Sequence, residues 1–436
     1  MFFYLNSEVL HLQGQNASFV YNLGTGKKMQ LDSWQSEVLN QLQSGASIDK
    51  LNRLYSEDIE EFIQHLSFNE LGQLYDEQVY VSKIKTHDAK LLKSDILRPF
   101  QLNRAVIELT GECNLNCRFC TPENVIYRSC GCKKWPNANE MLSLEDWEDA
   151  VQNMIKLKVK QVIFSGGEPF LRWDVLKRLI ELLFSHQVKC TVITNGTLID
   201  EETGRFLKNH QVDLILQVFE HSSEGYFRVT GQAGSFNFLC DSLEIIEKYG
   251  IQHYISIVIS SLNQDRLKDI QAFFANKQTS LMYVYPANEY YPDKMLSQIL
   301  SPANREIPIN IQNYQLHENY HNCLHGQIFI SADGSLYPCM MMRHNNDSLG
   351  NIRKEPLYKV FNEQRHKKYW TTPKKNMQGC DKCARNLFCF DCRALDYYAT
   401  GTYEGMKYCS EIEQGQEKTH VEKSEVGLEL QQTFPE

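Results

Sequence analysis

The run Glu112-Cys113-Asn114-Leu115-Asn116-Cys117-Arg118-Phe119-Cys120 decides how this chain is read. It sets three cysteines at C-x3-C-x2-C spacing directly after the apolar stretch Ala105 to Leu109, which has the length of a strand. A 4Fe-4S cubane normally takes four thiolates, so a compact three-cysteine loop leaves one iron open to a small molecule. A zinc site would call for a fourth Cys or His at closed tetrahedral spacing, and a disulfide would leave an odd thiol.

Two turns follow at the ends of later strand-like runs. Gln161 to Phe164 leads into Gly166-Gly167-Glu168-Pro169, and Cys190 to Ile193 leads into Thr194-Asn195-Gly196-Thr197. Glycines there let backbone approach a ligand without a Cβ, and Glu168 offers an anionic acceptor. Together with the cysteine triplet, these turns resemble the signature of the radical S-adenosylmethionine (SAM) superfamily. The resemblance implies that Cys113, Cys117 and Cys120 hold a 4Fe-4S cluster whose open iron is chelated by the amino and carboxylate groups of SAM. It further implies Phe119 against the adenine, Gly166, Gly167, Glu168 and Pro169 at the methionyl amino group, and Thr194 and Asn195 at the rim. In relatives with a C-terminal cluster domain the fourth strand commonly reads S-x-D-G, whereas Gln217-Val218-Phe219-Glu220 stand here. Gln217 either hydrogen-bonds SAM through its amide or is a buried, satisfied polar residue.

Six strand-length runs alternate with longer amphipathic segments: Ala105 to Leu109, Gln161 to Phe164, Cys190 to Ile193, Asp213 to Val218, Tyr254 to Ile259 and Leu281 to Tyr285. Among the intervening segments, Leu144 to Leu157 opens on Ser143 as an N-cap; Val175 to Phe184 and Phe236 to Tyr249 are others. Six βα units in series predict an α/β fold with a parallel sheet wrapped by helices, and the resemblance implies a partial (β/α)6 barrel. The cysteine loop and both turns follow strands, as active residues do in such barrels.

The C-terminal part carries Cys323, Cys339, then Cys380-x2-Cys383-x5-Cys389-x2-Cys392, then Cys409. Seven cysteines in this order resemble the SPASM domain of radical SAM enzymes that act on peptides and proteins, with one residue fewer before Cys392 than its members often have. A zinc ribbon would strand three of the seven. The resemblance assigns Cys380, Cys383, Cys389 and Cys409 to a distal auxiliary 4Fe-4S cluster, and Cys323, Cys339 and Cys392 to a nearer one, giving three clusters in all. The near cluster then has an iron open to a substrate cysteine, or one closed by Cys130 or Cys132. Cys190 and Cys240 read as inert core thiols.

Ahead of the barrel, Phe3 to Leu12 and Ser18 to Leu23 read as strands around the turn Gly24-Thr25-Gly26, and Met29 to Leu31 runs into a helix capped near Asp32. Helices at Ser47 to Leu54 and Asp58 to Leu66 follow. This pattern resembles the winged-helix-like element that holds precursor-peptide leaders, receiving the leader as a strand on a sheet edge. The expected organisation is 1–95 precursor recognition, 96–290 barrel, 291–322 bridge, 323–412 SPASM domain and 413–436 polar tail. A formal charge of -9 argues against a nucleic-acid or membrane-surface binder. Without a signal peptide or transmembrane run, a cytoplasmic location is expected, where 14 cysteines read as metal-binding or catalytic.

The resemblance as a whole implies an oxidoreductase that cross-links a ribosomally made precursor peptide, through a thioether or through a carbon-carbon or ether bond. Its expected partners are that peptide and a flavodoxin or ferredoxin-type reductant. A sulfatase-activating formylglycine-forming enzyme and a peptide epimerase share the architecture. An iron-sulfur scaffold or redox protein without catalysis would have no use for the Gly-Gly-Glu-Pro turn.

Overall fold

The computed structural model describes residues 1–82, 101–120, 125–127, 141–285, 305–345 and 347–409. Cys130, Cys132 and the tail 413–436 lie outside the described residues. At the N-terminus, β1 (Phe2–Leu5) and β2 (Val9–Gln13) are separate strands where one continuous strand is expected. A turn breaks the run at Asn6, whose carbonyl accepts from the Val9 amide at 3.1 Å, and the two strands go to different sheets. β2, β3 (Ser18–Asn22) and β4 (Lys28–Leu31) form an antiparallel sheet with β3 in the centre. Helices Ser33–Gln43, Ile48–Leu51 and Ile59–Phe68 follow, preceded by Asp32, Ser47 and Asp58 as N-caps. β5 (Gly72–Tyr75) then returns to pair with β1, a pairing the sequence reading lacks.

The central sheet contains the six expected strands in sequential parallel order. They are β6 (Arg104–Glu108), β8 (Gln161–Ser165), β9 (Lys189–Thr194), β10 (Asp213–Val218), β11 (His253–Ile259) and β12 (Thr279–Tyr285). The short β7 (Val125–Tyr127) adds antiparallel to β12. Apolar runs buried on both faces, such as Val162-Ile163-Phe164 and Ile257-Val258-Ile259, suit a parallel sheet covered by helices. The first covering helix, Leu144–Lys156, starts at Ser143 with a capping box: the Ser143 hydroxyl accepts from the Asp146 amide at 3.1 Å, and Asp146 returns the bond at 3.0 Å.

The cysteine-rich C-terminal part begins as an extension of this sheet. β13 (Gln327–Ile330) pairs parallel with β6, and β14 (Ser335–Tyr337) and β15 (Gly350–Asn351) continue antiparallel beyond it. Because β13 runs with β6, the chain leaving it emerges beside the cysteine loop that follows β6. Glu108, fully buried at the end of β6, clamps the junction by accepting from the Ala332 amide at 3.0 Å and from Arg343 at 2.9 Å. Burial raises the Glu108 pKa, against the pull of Arg343. Among the described residues, no helix is long and apolar enough to cross a membrane.

Candidate active site

Since the six strands are parallel, the segments after β6, β8, β9 and β10 meet at one end of the sheet. The cysteine loop lies between two supports. On one side the Gly167 amide donates to the Thr110 carbonyl and the Glu168 amide to the Glu112 carbonyl, both at 2.7 Å. On the other, the Asn116 and Arg118 amides donate to the carbonyls of Thr230 and Val229 at the end of helix Ser223–Thr230. Gly166 has φ +149°, and a Cβ there would stand 2.5 Å from the Thr110 carbonyl; one on Gly167 would overlap the Glu112 carbonyl. The close approach that these glycines permit is to the cysteine loop itself.

Glu168 ties the second and third turns together. Its carboxylate is fully buried and accepts from the Thr194 hydroxyl at 2.8 Å, the Asn195 amide at 2.9 Å and the Phe170 amide at 3.1 Å. Burial pushes its pKa up to about 7, and the three hydrogen bonds restrain the rise. Pro169 opens the 3-10 turn Pro169–Arg172 beneath it. The Asn195 side chain then reaches back to the cysteine loop, donating to Asn114 Oδ1 at 2.9 Å and lying 3.7 Å from Cys113 Sγ, which also receives the Leu115 amide at 3.4 Å. Two N–H groups aimed at one sulfur suit a thiolate ligand better than a thiol, a weak acceptor.

Phe119, buried beside Cys120, packs on Phe219 at 5.6 Å, and Phe219 on Tyr226. Gln217 is 2% exposed in β10 with its amide nitrogen 3.5 Å from Met282 Sδ. Glu220, just beyond, is fully buried, ion-paired to Arg228 at 2.9 Å and 3.0 Å from His221 Nδ1. Its charge is therefore balanced by Arg228 on the helix that follows it.

The C-terminal cysteines sit on short loops braced by a buried polar network. Cys323 follows His321, whose Nδ1 accepts the amides of Cys323 and Leu324. Cys380 and Cys383 lie in consecutive tight turns, and the Arg385 amide donates to Cys383 Sγ at 3.4 Å. Cys389 forms a bridge with Glu306. Cys392 is the N-cap of helix Arg393–Thr400, on which Asp396 accepts the amides of Lys407 and Tyr408 and so fixes the approach of Cys409. Cys339 is buried ahead of the 3-10 turn Met340–Asn345.

Lys374, one of two adjacent lysines, is 3% exposed, and its ammonium lies 3.1 Å from both Cys389 Sγ and the Cys389 carbonyl. Nothing in the sequence separates it from its exposed neighbour Lys375. Cys190 is 3% exposed and pushed by burial up to about 12, as befits a core thiol, while Cys240 is only half-buried. No described cysteine is in a disulfide. Among the described residues no three His, Cys, Asp or Glu side chains converge on one ion position. A cubane does not require that, because its four thiolates bind separate irons.

The N-terminal sheet rests on the auxiliary cysteine loop. Tyr21 packs on Phe388 with ring centroids 4.8 Å apart and donates to the Ala384 carbonyl at 3.2 Å; Arg385 covers Phe19 at 4.7 Å, and the Gln15 amide donates to the Lys382 carbonyl at 2.8 Å. Phe19, Tyr21, Leu23, Ala384, Leu387 and Phe388 form one small core.

Residues 107–274 match the radical SAM superfamily, and residues 322–384 match an iron-sulfur cluster-binding domain, SPASM. Cys389, Cys392 and Cys409 lie beyond the second match. A GTP 3',8-cyclase of Aquifex aeolicus is 23% identical over 64% of this chain and 94% of its own length. The antilisterial bacteriocin subtilosin biosynthesis protein AlbA of Bacillus subtilis is 24% identical over 66% of each chain. Among solved structures, SuiB of Streptococcus suis superposes with TM-score 0.52 at 17% identity, covering 93% of this chain and 99% of that one. The protein is a radical SAM enzyme with a C-terminal SPASM domain, two domains that bind SAM and iron-sulfur clusters.

Proposed function

We propose that this enzyme cross-links a ribosomally made precursor peptide whose leader is held by the N-terminal unit. The observation that carries the reading is the seating of that unit's sheet directly on the auxiliary cysteine loop 380–389. A leader added along the β4 edge would bring its core segment towards the cysteines. AlbA, named for bacteriocin biosynthesis, is in keeping with a peptide substrate.

Cys113, Cys117 and Cys120 hold the SAM-binding cluster in this reading. Phe119, Gly166, Gly167, Glu168, Pro169, Thr194, Asn195 and Gln217 surround SAM. Cys380, Cys383, Cys389 and Cys409 hold the distal auxiliary cluster, and Cys323, Cys339 and Cys392 the near one. When bound, SAM reduced by an electron from a flavodoxin or ferredoxin-type donor would supply hydrogen-atom abstraction from a peptide carbon. The chain's own part is orientation: Glu168 locks the two turns together, and Asn195 and Leu115 hold Cys113.

The test is anaerobic reconstitution of the full-length chain followed by incubation with SAM, dithionite and peptides translated from short open reading frames neighbouring its gene. About twelve iron atoms per chain are expected for three cubanes, with a product two hydrogens lighter whose fragmentation is blocked between the linked residues. Stoichiometric zinc rejects the cluster assignment. An aldehyde product points to formylglycine formation, an unchanged mass to epimerisation, and equal processing of a leaderless peptide rejects leader recognition.

A further inference from the structure

We propose that Lys374 sets the reduction potential of the auxiliary cluster bound through Cys389, holding it high enough to take an electron from the peptide. The inference rests on the proposed assignment of Cys380, Cys383, Cys389 and Cys409 to that cluster. Lysine is almost never fully buried unless paired, because desolvating an ammonium costs several kcal/mol. Lys374 is 3% exposed in the 3-10 turn Lys374–Asn376, six residues before Cys380. Its hydrogen-bond partners are the sulfur and the carbonyl oxygen of Cys389, each at 3.1 Å.

The nearest described carboxylate lies beyond hydrogen-bond distance. Asp391 Oδ1 is 3.8 Å away and Asp391 is shared with Arg393 at 3.6 Å, while Asp396 lies 3.5 Å from Arg393. Lys374 therefore meets Cys389 as a buried cation whose hydrogen bonds go to that residue's sulfur and carbonyl oxygen, and a cluster-bound thiolate there would be its countercharge.

A cation hydrogen-bonded to a ligand sulfur stabilises the reduced cluster in two ways. It attracts the added electron through a low-dielectric medium, and its N–H bond withdraws density from the thiolate, a recognised determinant of cluster potential. The chemistry needs such an acceptor. When the deoxyadenosyl group takes one hydrogen atom from a peptide carbon and that carbon bonds to a second peptide atom, one proton and one electron remain. The proton passes to solvent and the electron reduces the auxiliary cluster by one.

Redox titration followed by electron paramagnetic resonance tests this in the full-length chain with Cys113, Cys117 and Cys120 replaced by Ala, so that only auxiliary clusters report. K374M is expected to lower one midpoint by about a tenfold change in the one-electron equilibrium constant, about 59 mV, and K374R to restore it. An unchanged midpoint in K374M overturns the proposal. A background that retains no iron overturns the cluster assignment beneath it, so the two failures are distinct. Should K374M shed its cluster, the unaltered side chain decides: with 15N-labelled lysine, a nitrogen coupling in the reduced auxiliary spectrum supports the contact, and its absence overturns it.

Discussion

Substituting Gly167 by Ala tests whether the close packing of two loops builds the SAM site. The Gly167 and Glu168 amides each donate at 2.7 Å to the cysteine loop, and a Cβ on Gly167 would overlap the Glu112 carbonyl and lie 2.9 Å from the Gly111 carbonyl carbon. Backbone on both sides leaves no flexible side chain to yield, so the loops must part. Losing two backbone hydrogen bonds costs about 1 kcal/mol each, and overpacking adds about 1–3 kcal/mol, for a total of roughly 3–5 kcal/mol. Set against a typical domain stability of about 5–15 kcal/mol, the variant still folds. Glu112 moves, however, and carries Cys113 with it. Misplacement by about 1 Å costs about 100-fold in rate, so 5'-deoxyadenosine formation should fall at least that far while auxiliary iron is retained. Anaerobic thermal unfolding, iron content and chromatographic assay of 5'-deoxyadenosine read the three quantities. Gly24→Ala is the control, since a Cβ there meets only side-chain atoms at 3.3 and 3.4 Å, and it should change stability by less than about 0.5 kcal/mol. A Gly167→Ala enzyme with ordinary stability and SAM cleavage refutes the argument.

Burial holds Glu168 near 7 in the folded chain against an ordinary 4.5, so its protonated form stabilises the fold fully below about 4.5, and that contribution is lost as pH rises through 7. Unfolding of the metal-free chain should weaken by roughly 3 kcal/mol between pH 5 and 8 relative to E168Q; parallel pH profiles in denaturant titrations would show the carboxyl is not responsible. Phe388→Ala removes the ring that Tyr21 packs against and should cost about 3–5 kcal/mol, releasing residues 1–82 to limited proteolysis; resistance equal to that of the unaltered chain counts against docking through this core.

Local signals carried much of this protein. The spacing of Cys113, Cys117 and Cys120, the turns after Phe164 and Ile193, and the six strand runs need only neighbours in sequence to be read, because period and turn chemistry are local properties. The N-caps at Asp32, Ser47, Asp58 and Ser143 are equally local. Side-chain destinations were not. Whether Glu168 faces ligand or the Thr194-Asn195 turn, and whether Gly167 clears a ligand or the Glu112 carbonyl, depends on which loops the parallel register of β6, β8 and β9 brings together.

The same holds further along the chain. That β13 joins the barrel sheet beside β6, and that the N-terminal sheet rests on residues 384–388, follow from contacts hundreds of positions apart, which no window of sequence contains. Lys374 and Lys375 are chemically identical in sequence. Only the folded chain buries the first against Cys389 and leaves the second in water, because the value of a charge is set by the groups and the dielectric around it.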